Sequence, residues 1–314
     1  MQADIQHDRL EKFRIFYNHT IQPELMRLEG RRLRLLFLFL ISILIFLGVF
    51  ILQLLLNQFA LSLFLLIPTI LYSSFLLYRI QKFRITFKPH IVNLILDFID
   101  DGINYGRLEY DPKKTISKSR FLESNIFVTN PKVYQGEDYI KGSIGEAKFE
   151  LCELNVREFS RVRDRLNYVF RGVYLCAEFN ESTRGEILVL PREFRQYLTR
   201  SMKAISLKRA VPIDGFMRNK EFRELFMTFA TENASFRDML SEPTQAALVN
   251  YRKSTNKEIY LSFINKKGYI AITEPKDILE PYLFRSNISF ELVREFFEDL
   301  NMLFRIVEDI DTTR

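Results

Sequence analysis

Histidine is the side chain best suited to acid–base and metal chemistry near neutral pH, and this 314-residue chain has three. They are His7, His19 and His90, so residues 91–314 contain none. The usual Ser-His-Asp and Cys-His catalytic arrangements, and zinc sites that use histidine, are therefore excluded from that region.

The two cysteines, Cys152 and Cys176, are too few for a zinc site built from thiolates alone. Both fall in strand-like stretches, so we expect free, buried thiols in a reducing compartment. The stretch GEDYIKGSIGE (136–146) lacks the spacing of a phosphate-binding loop. The sequence thus predicts no cofactor, no metal and no catalytic residue.

Two pairs of acids could act as general acid and base if a pocket shifted their pKa values. The pairs are Glu137 with Asp138 and Glu150 with Glu153. In a regular strand, side chains an odd number of positions apart point to opposite faces. We therefore predict that the members of each pair are separated and solvated.

A local excess of basic residues occurs in PREFRQYLTRSMKAISLKR (191–209), which contains a single acid, Glu193. Such a patch could orient a domain on an anionic membrane surface, bind an acidic protein partner, or be a solvated loop. Its basic residues are Arg192, Arg195, Arg200, Lys203, Lys208 and Arg209.

The 44 residues from Leu35 to Tyr78 carry no charge. One membrane-spanning helix needs about 20 apolar residues, so this run is long enough for two. Dividing it at Asn57-Gln58 gives transmembrane helices at 35–56 and 59–78, joined by a minimal turn. Buried helices of a soluble core are the alternative, but neither half shows the polar stripe of such a helix.

Basic residues border the charge-free run on both sides, whereas the turn has none. Basic residues concentrate in cytoplasmic segments, which predicts a multi-pass protein of the bacterial inner membrane with both termini in the cytoplasm. The flanking charges include Arg31, Arg32 and Arg34 before the run, and Arg79, Lys82 and Arg84 after it.

The net charge of +6 comes from the membrane flanks, because residues 91–314 contain equal numbers of basic and acidic side chains. A nucleic-acid-binding domain would concentrate positive charge, so we predict no nucleic-acid partner. The predicted parts are an N-terminal cytoplasmic helix (1–34), the two spans, and a cytoplasmic domain at 79–314 that is large enough for two subdomains.

The first 34 residues are predicted to be helical, because apolar residues recur at spacings of three to five. Packing against its own protein is the favoured arrangement, with the membrane surface as the alternative. A second helical pattern follows the second span, with Gly102 and Gly106 as stop signals. The N-terminal apolar positions are Phe13, Phe16, Ile21, Leu25 and Leu28.

Alternating patterns farther along predict three pairs of strands. The first lies within 138–156, with Gly142 and Gly145 at a bend. The second joins 168–179 to 185–191 through NESTRG, and the third joins 257–264 to 268–274 through NKK.

Two helices stand out in the C-terminal third. One follows Ser241 as N-cap with Pro243 in its first turn. The other begins near Ser289 and has apolar residues at alternating spacings of four and three, which favours a helix lying on its own sheet over a coiled coil. Strand pairs with intervening helices predict a mainly antiparallel α+β domain after the N-terminal helix and the transmembrane hairpin.

The segments GEDYIKGSIGEAKFELCEL, VFRGVYLCAEFN and EFRELFMTFATENASFRDMLSEP resemble a bacterial family known as domain of unknown function 3137. The resemblance extends over nearly the whole chain and implies two membrane helices followed by a cytoplasmic domain. It also implies a D-x-Y-x-x-G-like strand (Asp138, Tyr139 and Gly142 here) and an F-R-G-aliphatic-aromatic strand (170–174). It implies no reaction, substrate or catalytic residue.

The leading hypothesis is a membrane-anchored cytoplasmic interaction or scaffold domain that binds a protein partner or the anionic inner leaflet. The alternative is a membrane-tethered enzyme that uses carboxylates on a lipid or peptide substrate. Homo-oligomerisation, including a pore built from several hairpins, is a third possibility, although the spans carry no charge and their polar residues also suit helix packing.

Overall fold

The computed structural model describes residues 2–56, 59–100, 106–160, 164–181, 184–193, 196–277 and 279–312. The chain divides into two compact units. The first comprises Met1–Phe98 and Leu279–Arg294, and the second comprises Ile99–Ile278 and Glu295–Arg314.

Helices account for the first unit and flank the sheet of the second. A π-helix, Tyr17–Ile21, joins the first two helices, and a 3-10 turn covers Asp214–Phe216. The α-helices are α1 (Gln2–Phe16), α2 (Gln22–Leu56), α3 (Phe59–Asp100), α4 (Lys118–Glu123), α5 (Gln196–Ser206), α6 (Lys220–Leu225), α7 (Phe236–Met239), α8 (Glu242–Thr255) and α9 (Phe290–Thr312).

Within the residues described, the second unit contains one antiparallel sheet of nine strands, in the order β1-β2-β3-β4-β9-β8-β5-β7-β6. The predicted α+β character is confirmed, and the sheet is continuous. The strands are β1 (Glu109–Asp111), β2 (Val133–Ile144), β3 (Ala147–Ser160), β4 (Arg165–Glu178), β5 (Glu186–Pro191), β6 (Val211–Pro212), β7 (Phe226–Ala230), β8 (Ile259–Ile264) and β9 (Lys267–Thr273).

The N-terminal helices pack against their own protein through one apolar stripe. Phe13, Ile21 and Leu25 are fully or almost fully buried. The Phe13 ring contacts Phe98 of α3 and Phe290 of α9, with centroids 5.2 and 6.4 Å away. Helical structure continues from this amphipathic part directly into the apolar half of α2.

The helical run Arg9–Leu52 contains an 18-residue window long and apolar enough to cross a membrane, and 6% of that window is buried. Among the described residues, this is the one such candidate. Asn57 and Gln58, the predicted turn, lie outside the described residues. The two-helix transmembrane hairpin therefore stays a prediction.

Residues 59–78, the second predicted span, form the first half of α3, which continues without a break to Asp100. The sequence predicted separate helices here, and the structure joins them. Pro89 lies inside α3, where proline removes one backbone donor. Burial of Phe87, Ile91 and Ile95 on one face compensates for this loss.

Two of the three predicted strand pairs are confirmed: β2 with β3, and β8 with β9. The second predicted pair is wrong, because β4 bonds to β3 and β9, whereas β5 bonds to β7 and β8. The β8–β9 hairpin comes later in the chain but lies between β4 and β5. Local alternation identified each of these six strands, but it carries no information about a hairpin that is inserted between two strands.

Both helices predicted in the C-terminal third are present. Ser241 caps α8 by accepting a hydrogen bond from the backbone N–H of Thr244. The apolar stripe of α9 is buried, and Phe304 lies 4.9 Å from Phe149 of β3, ring centroid to centroid. This contact places α9 on its own sheet, as the spacing predicted.

Candidate functional site

The basic stretch at 191–209 is built around α5, whose apolar positions follow a helical period. Leu198 and Ile205 are buried, and between them Ser201 donates a hydrogen bond to the carbonyl oxygen of Ile126 at 2.6 Å. The intervening positions Arg200 and Lys203 are exposed. The helix therefore attaches by one face and presents its cations on the other.

An apolar groove of about 690 Å³ runs along α5. Leu198, Met202 and Met227 line it, and Leu207, just past the helix end, is 87% exposed. Polar residues form the remainder of the lining: Arg192, Glu193, Thr199, Lys203 and Ser206. We call this surface the α5 groove.

Acids from other elements neutralise part of the predicted basic patch. Arg192 pairs with Asp214 at 3.0 Å, Arg200 with Glu158 at 2.8 Å, and Lys208 with Glu186 at 2.7 Å.

Lys203 and Arg209 remain exposed and make no ion pair among the described residues, and Arg195 lies outside them. The part of the patch that the structure describes thus retains about two uncompensated cations, fewer than the sequence suggested.

A polar cleft of about 650 Å³ lies where β4, β8 and β9 meet α8 and α9. Phe170 and Arg171 of the F-R-G motif line one wall. Gly172 follows with φ +146°. Its backbone lies close to the backbone of Ile272 in β9 and to that of Glu274, the residue directly after β9. The glycine of the motif therefore permits the close approach of β4 and β9 beside the cleft.

Lys257 is 7% exposed at the base of this cleft and is surrounded by carboxylates. Its ammonium lies 2.7 Å from Glu274, 2.8 Å from Asp299 and 3.1 Å from Glu295. Although burial favours the neutral amine, Asp299 and Glu274 hold the pKa of Lys257 above its ordinary value. A nucleophilic lysine needs a lowered pKa, so Lys257 is an ionic lock and not a Schiff-base former.

Asp299 is 2% exposed, and burial raises the pKa of its carboxyl to about 6 against the opposing effects of Lys257 and Tyr251. Both partners bond to it: Tyr251 donates through its hydroxyl and Lys257 through its ammonium. Asp299 is absent from the lining of the cleft. Its perturbed pKa therefore reflects a buried structural network without access to a substrate in the cleft.

Carboxylates of Glu137, Asp138 and Glu153 come together, with oxygen atoms all within 4.8 Å of one another. The predicted separation of Glu137 and Asp138 is wrong, because the β2–β3 register shifts between Glu137 and Ile140. Asp138 occupies this irregularity with φ +57°, and its carboxylate accepts a hydrogen bond from the Tyr110 hydroxyl. A bulge with a left-handed residue redirects a side chain that a regular strand would point away.

Glu137 is exposed, as predicted. For the other three acids the prediction of solvation needs correction. Asp138 and Glu153 are 7% exposed, and Glu150 forms an ion pair with Arg120. The sequence could not show this, because Arg120 reaches Glu150 from α4, thirty residues away along the chain.

Cys152 and Cys176 are free and buried, as predicted. Burial raises the pKa of each thiol to about 12, so both stay protonated and unreactive at neutral pH. The Cys152 sulfur accepts a hydrogen bond from the backbone N–H of Ile116 at 3.4 Å. Both cysteines are parts of the core.

Of the predicted membrane-flanking residues, Arg32 is buried and paired with Glu29 at 2.5 Å. Although burial favours the protonated acid, Arg32 and the backbone N–H of Asn287 hold the pKa of Glu29 below its ordinary value. Arg84 lies 3.7 Å from Glu280. Arg31, Arg34, Arg79 and Lys82 are exposed.

The fold is an α+β domain combined with a helical unit that contains an apolar helix of membrane-spanning length. Residues 168–312 match the model of a family described as "Protein of unknown function (DUF3137)". This match supports the resemblance for residues 168–312, which contain the F-R-G motif. The D-x-Y-x-x-G segment, at 138–142, lies before the matched residues.

Comparison with curated proteins gave no match. Among solved structures, the mycobacterial trehalose monomycolate transport factor A, TtfA, aligns with 7% sequence identity and a TM-score of 0.32. The alignment covers 63% of this chain and 88% of the other. A similarity at this level defines neither a shared fold nor a shared function.

Proposed function

We propose that this chain is a membrane-anchored interaction protein. Helices at 35–56 and 59–78 form a two-span hairpin in a bacterial inner membrane, with both termini in the cytoplasm. The cytoplasmic domain binds a segment of a protein partner in the α5 groove, and that segment presents apolar side chains to the groove and acids to its rim.

The apolar exposed surface of α2 carries the anchoring part of this proposal. Of its membrane-length window, 6% is buried, and Phe37 and Leu44 are more than 60% exposed. An apolar surface of this length on a water-soluble protein would be an aggregation hazard, whereas lipid covers it without cost. The core helix of a soluble protein would be mostly buried.

Concavity and charge favour a protein segment over the flat membrane surface as occupant of the α5 groove. Each basic residue near an anionic leaflet contributes about 1 kcal/mol, so the two cations left uncompensated in the described part of the patch, Lys203 and Arg209, give weak attraction. A groove of about 690 Å³ can instead accept apolar side chains, and Met202 and Met227 can adapt to their shape.

The test uses two synthetic amphipathic helices that share one apolar face and carry either glutamates or lysines on the other. Fluorescence anisotropy with the full-length protein in detergent should show binding of the acidic peptide and weaker binding of the basic one. Met202→Glu should abolish binding because it places a charge in the groove. The matched control Leu166→Glu, at a 42% exposed site on β4, should leave binding intact.

Equal binding of both peptides, or binding unaffected by Met202→Glu, would refute the α5 groove as the docking site. The membrane-surface alternative is tested separately with anionic liposomes. Pull-down that weakens when Arg200, Lys203 and Lys208 are replaced by Gln would assign the patch to lipid. The carboxylate-enzyme alternative gains no support from the polar cleft, because each of its four acids is engaged. Arg252 pairs with Glu193, Lys257 pairs with Glu274 and Glu295, and the Tyr260 hydroxyl donates to Glu258.

A further inference from the structure

The chain between β9 and α9, residues 279–289, forms a closed loop held by one buried side chain. Asn287 is 2% exposed. Its Oδ1 accepts from the backbone N–H of Tyr282 at 2.7 Å, and its Nδ2 donates to the Tyr282 carbonyl at 3.0 Å. These reciprocal bonds fix the conformation of 282–287 and direct the residues between them outward. We call this segment the 279–289 loop.

Side chains of α2 and α3 bind the same loop within the first compact unit. Arg32 donates to the carbonyl oxygen of Leu283, and the Glu29 carboxylate accepts from the backbone N–H of Asn287 at 3.4 Å. On the other helix, Arg84 and Lys88 lie 3.7 and 3.8 Å from the Glu280 carboxylate. The loop is therefore attached to both helices outside the segments that are predicted to span the membrane.

Two aromatic side chains in the loop are exposed. Phe284 is 84% exposed and Tyr282 is 48% exposed, and Arg285 beside them is also exposed. A rigid loop that displays a phenylalanine to water loses the benefit of burying it.

The attachment to Arg32 fixes the level of these side chains along α2. Arg32 precedes Leu35, the first residue of the predicted span, by three positions, a rise of roughly 4.5 Å. Leu283, which Arg32 holds, is directly followed by Phe284. For a span that begins at Leu35, these aromatic side chains would lie near the level where the hydrocarbon core gives way to lipid head groups.

We propose that Tyr282, Phe284 and Arg285 form an interfacial anchor that inserts into the head-group region of the bilayer crossed by α2. The inference rests on the proposed membrane anchoring. Tyrosine concentrates at this boundary because its ring is apolar and its hydroxyl is polar, and phenylalanine places an apolar ring among the upper acyl chains. Arginine pairs with lipid phosphates.

Neighbouring exposed residues fit a lipid occupant. Leu33 and Phe37 on α2 are 53% and 63% exposed, so an apolar surface begins at the same level as the loop. Arg31 and Arg34 are exposed beside them. The mixture of apolar and basic side chains matches a bilayer interface, which offers acyl chains and phosphates at one depth.

The chain contains no tryptophan, so one introduced indole reports on one place. We would reconstitute full-length Phe284→Trp into liposomes whose lipids are brominated either near the carbonyl end or near the methyl end of the acyl chain. If the loop inserts, the tryptophan emission should be blue-shifted. Bromines near the carbonyl end (shallow) should quench it more strongly than bromines near the methyl end (deep). Tyr282→Trp provides a second variant in case the first does not fold.

Two controls separate this inference from the anchoring on which it rests. Phe46→Trp, in the middle of the first predicted span, should be quenched most strongly by the deep bromines. Phe216→Trp, 66% exposed in the second compact unit, should remain red-shifted and unquenched.

An unquenched indole at 284 together with a quenched indole at 46 would overturn the interfacial anchor and leave the spans intact. A blue-shifted but unquenched indole at 284 would also overturn it, because protein would then cover the loop. An unquenched indole at 46 would overturn the proposed anchoring itself. Equal quenching at 216 and 284 would show that the loop has no special contact with lipid.

Discussion

At the scale of single residues, the ion pairs of Lys257 stabilise the fold beside the polar cleft. One ammonium is shared among three carboxylates, two of which are almost completely buried. Removing the cation leaves like charges together in a poorly solvated site, which costs far more than a surface pair contributes.

Lys257→Met should therefore lower the free energy of unfolding by about 3–5 kcal/mol. Urea denaturation of the full-length protein in detergent, followed by circular dichroism, measures this loss. Lys276→Met is the matched control, because Lys276 lines the same cleft but is exposed. It should change stability by less than about 0.5 kcal/mol. A loss below 1 kcal/mol for Lys257→Met would contradict the ionic lock.

The raised pKa of Asp299 predicts a pH dependence whose sign differs from that of most salt-bridged acids. The folded protein binds this proton more tightly than the unfolded chain, with pKa values of about 6 and 3.8. The associated stability is fully present below pH 3.8 and is lost as pH rises through about 6. Glu274, Lys257 and Tyr251 are the ionisable groups in contact or coupled with it.

Asp299→Asn removes that proton-binding step. Relative to this variant, the natural protein should gain up to about 3 kcal/mol of stability as pH falls from 7 towards 4, because one pKa unit corresponds to about 1.4 kcal/mol. Unfolding free energies of both proteins at pH 7, 6 and 5 provide the comparison. A difference that does not vary with pH would show that Asp299 titrates normally.

At the scale of elements, strand pairing around Gly172 depends on the missing side chain. A Cβ at this position would lie 2.0 Å from the carbonyl oxygen of Ile272, and φ is +146°. Gly172→Ala should therefore destabilise the protein by more than about 1 kcal/mol. Gly215→Ala, where no atom lies within 4 Å of the new Cβ, should be nearly neutral. Thermal unfolding compares the two; equal melting temperatures would refute this role for Gly172.

Elements with local signals could be predicted from the sequence, and those defined by distant contacts could not. The Ser241 cap of α8 and the apolar stripe of α9 are properties of contiguous residues, so periodicity and capping identified them. The separation of β4 from β5, and the bulge at Asp138, depend on partners far along the chain. Strands β7, with five residues, and β6, with two, are too short to show a clear alternation of apolar and polar residues.

Of the candidate site, the sequence could predict which residue types are present, but not how they are arranged. The sequence located the cations of 191–209, but it could not show that Asp214, Glu158 and Glu186 neutralise three of them. Nor did it indicate the α5 groove, whose Met227 comes from β7. The exposure of Phe284 depends on a loop held by Arg32, more than 250 residues away. Such contacts exist only after folding.

At the scale of the whole molecule, the predicted topology can be tested by thiol labelling in intact cells. The native Cys152 and Cys176 give little background, because both are buried and their pKa values are about 12. Asn57→Cys, in the predicted external turn, should react with a membrane-impermeant maleimide. Ser119→Cys, exposed in the second unit, should react only after lysis. Labelling of Ser119→Cys in intact cells would invert the topology.

The unbroken course of α3 has a mechanical consequence. Its 42 residues extend about 63 Å, so roughly half the rod projects past the segment predicted to cross the bilayer. The helix continues through Pro68 and Pro89 to Asp100, and a tilt of about 10° would displace the far end of a straight helix of this length by roughly 11 Å, from the same rise per residue. If lipid surrounds residues 59–78, as proposed, a change in bilayer thickness that tilts this segment would therefore move the distal end of α3.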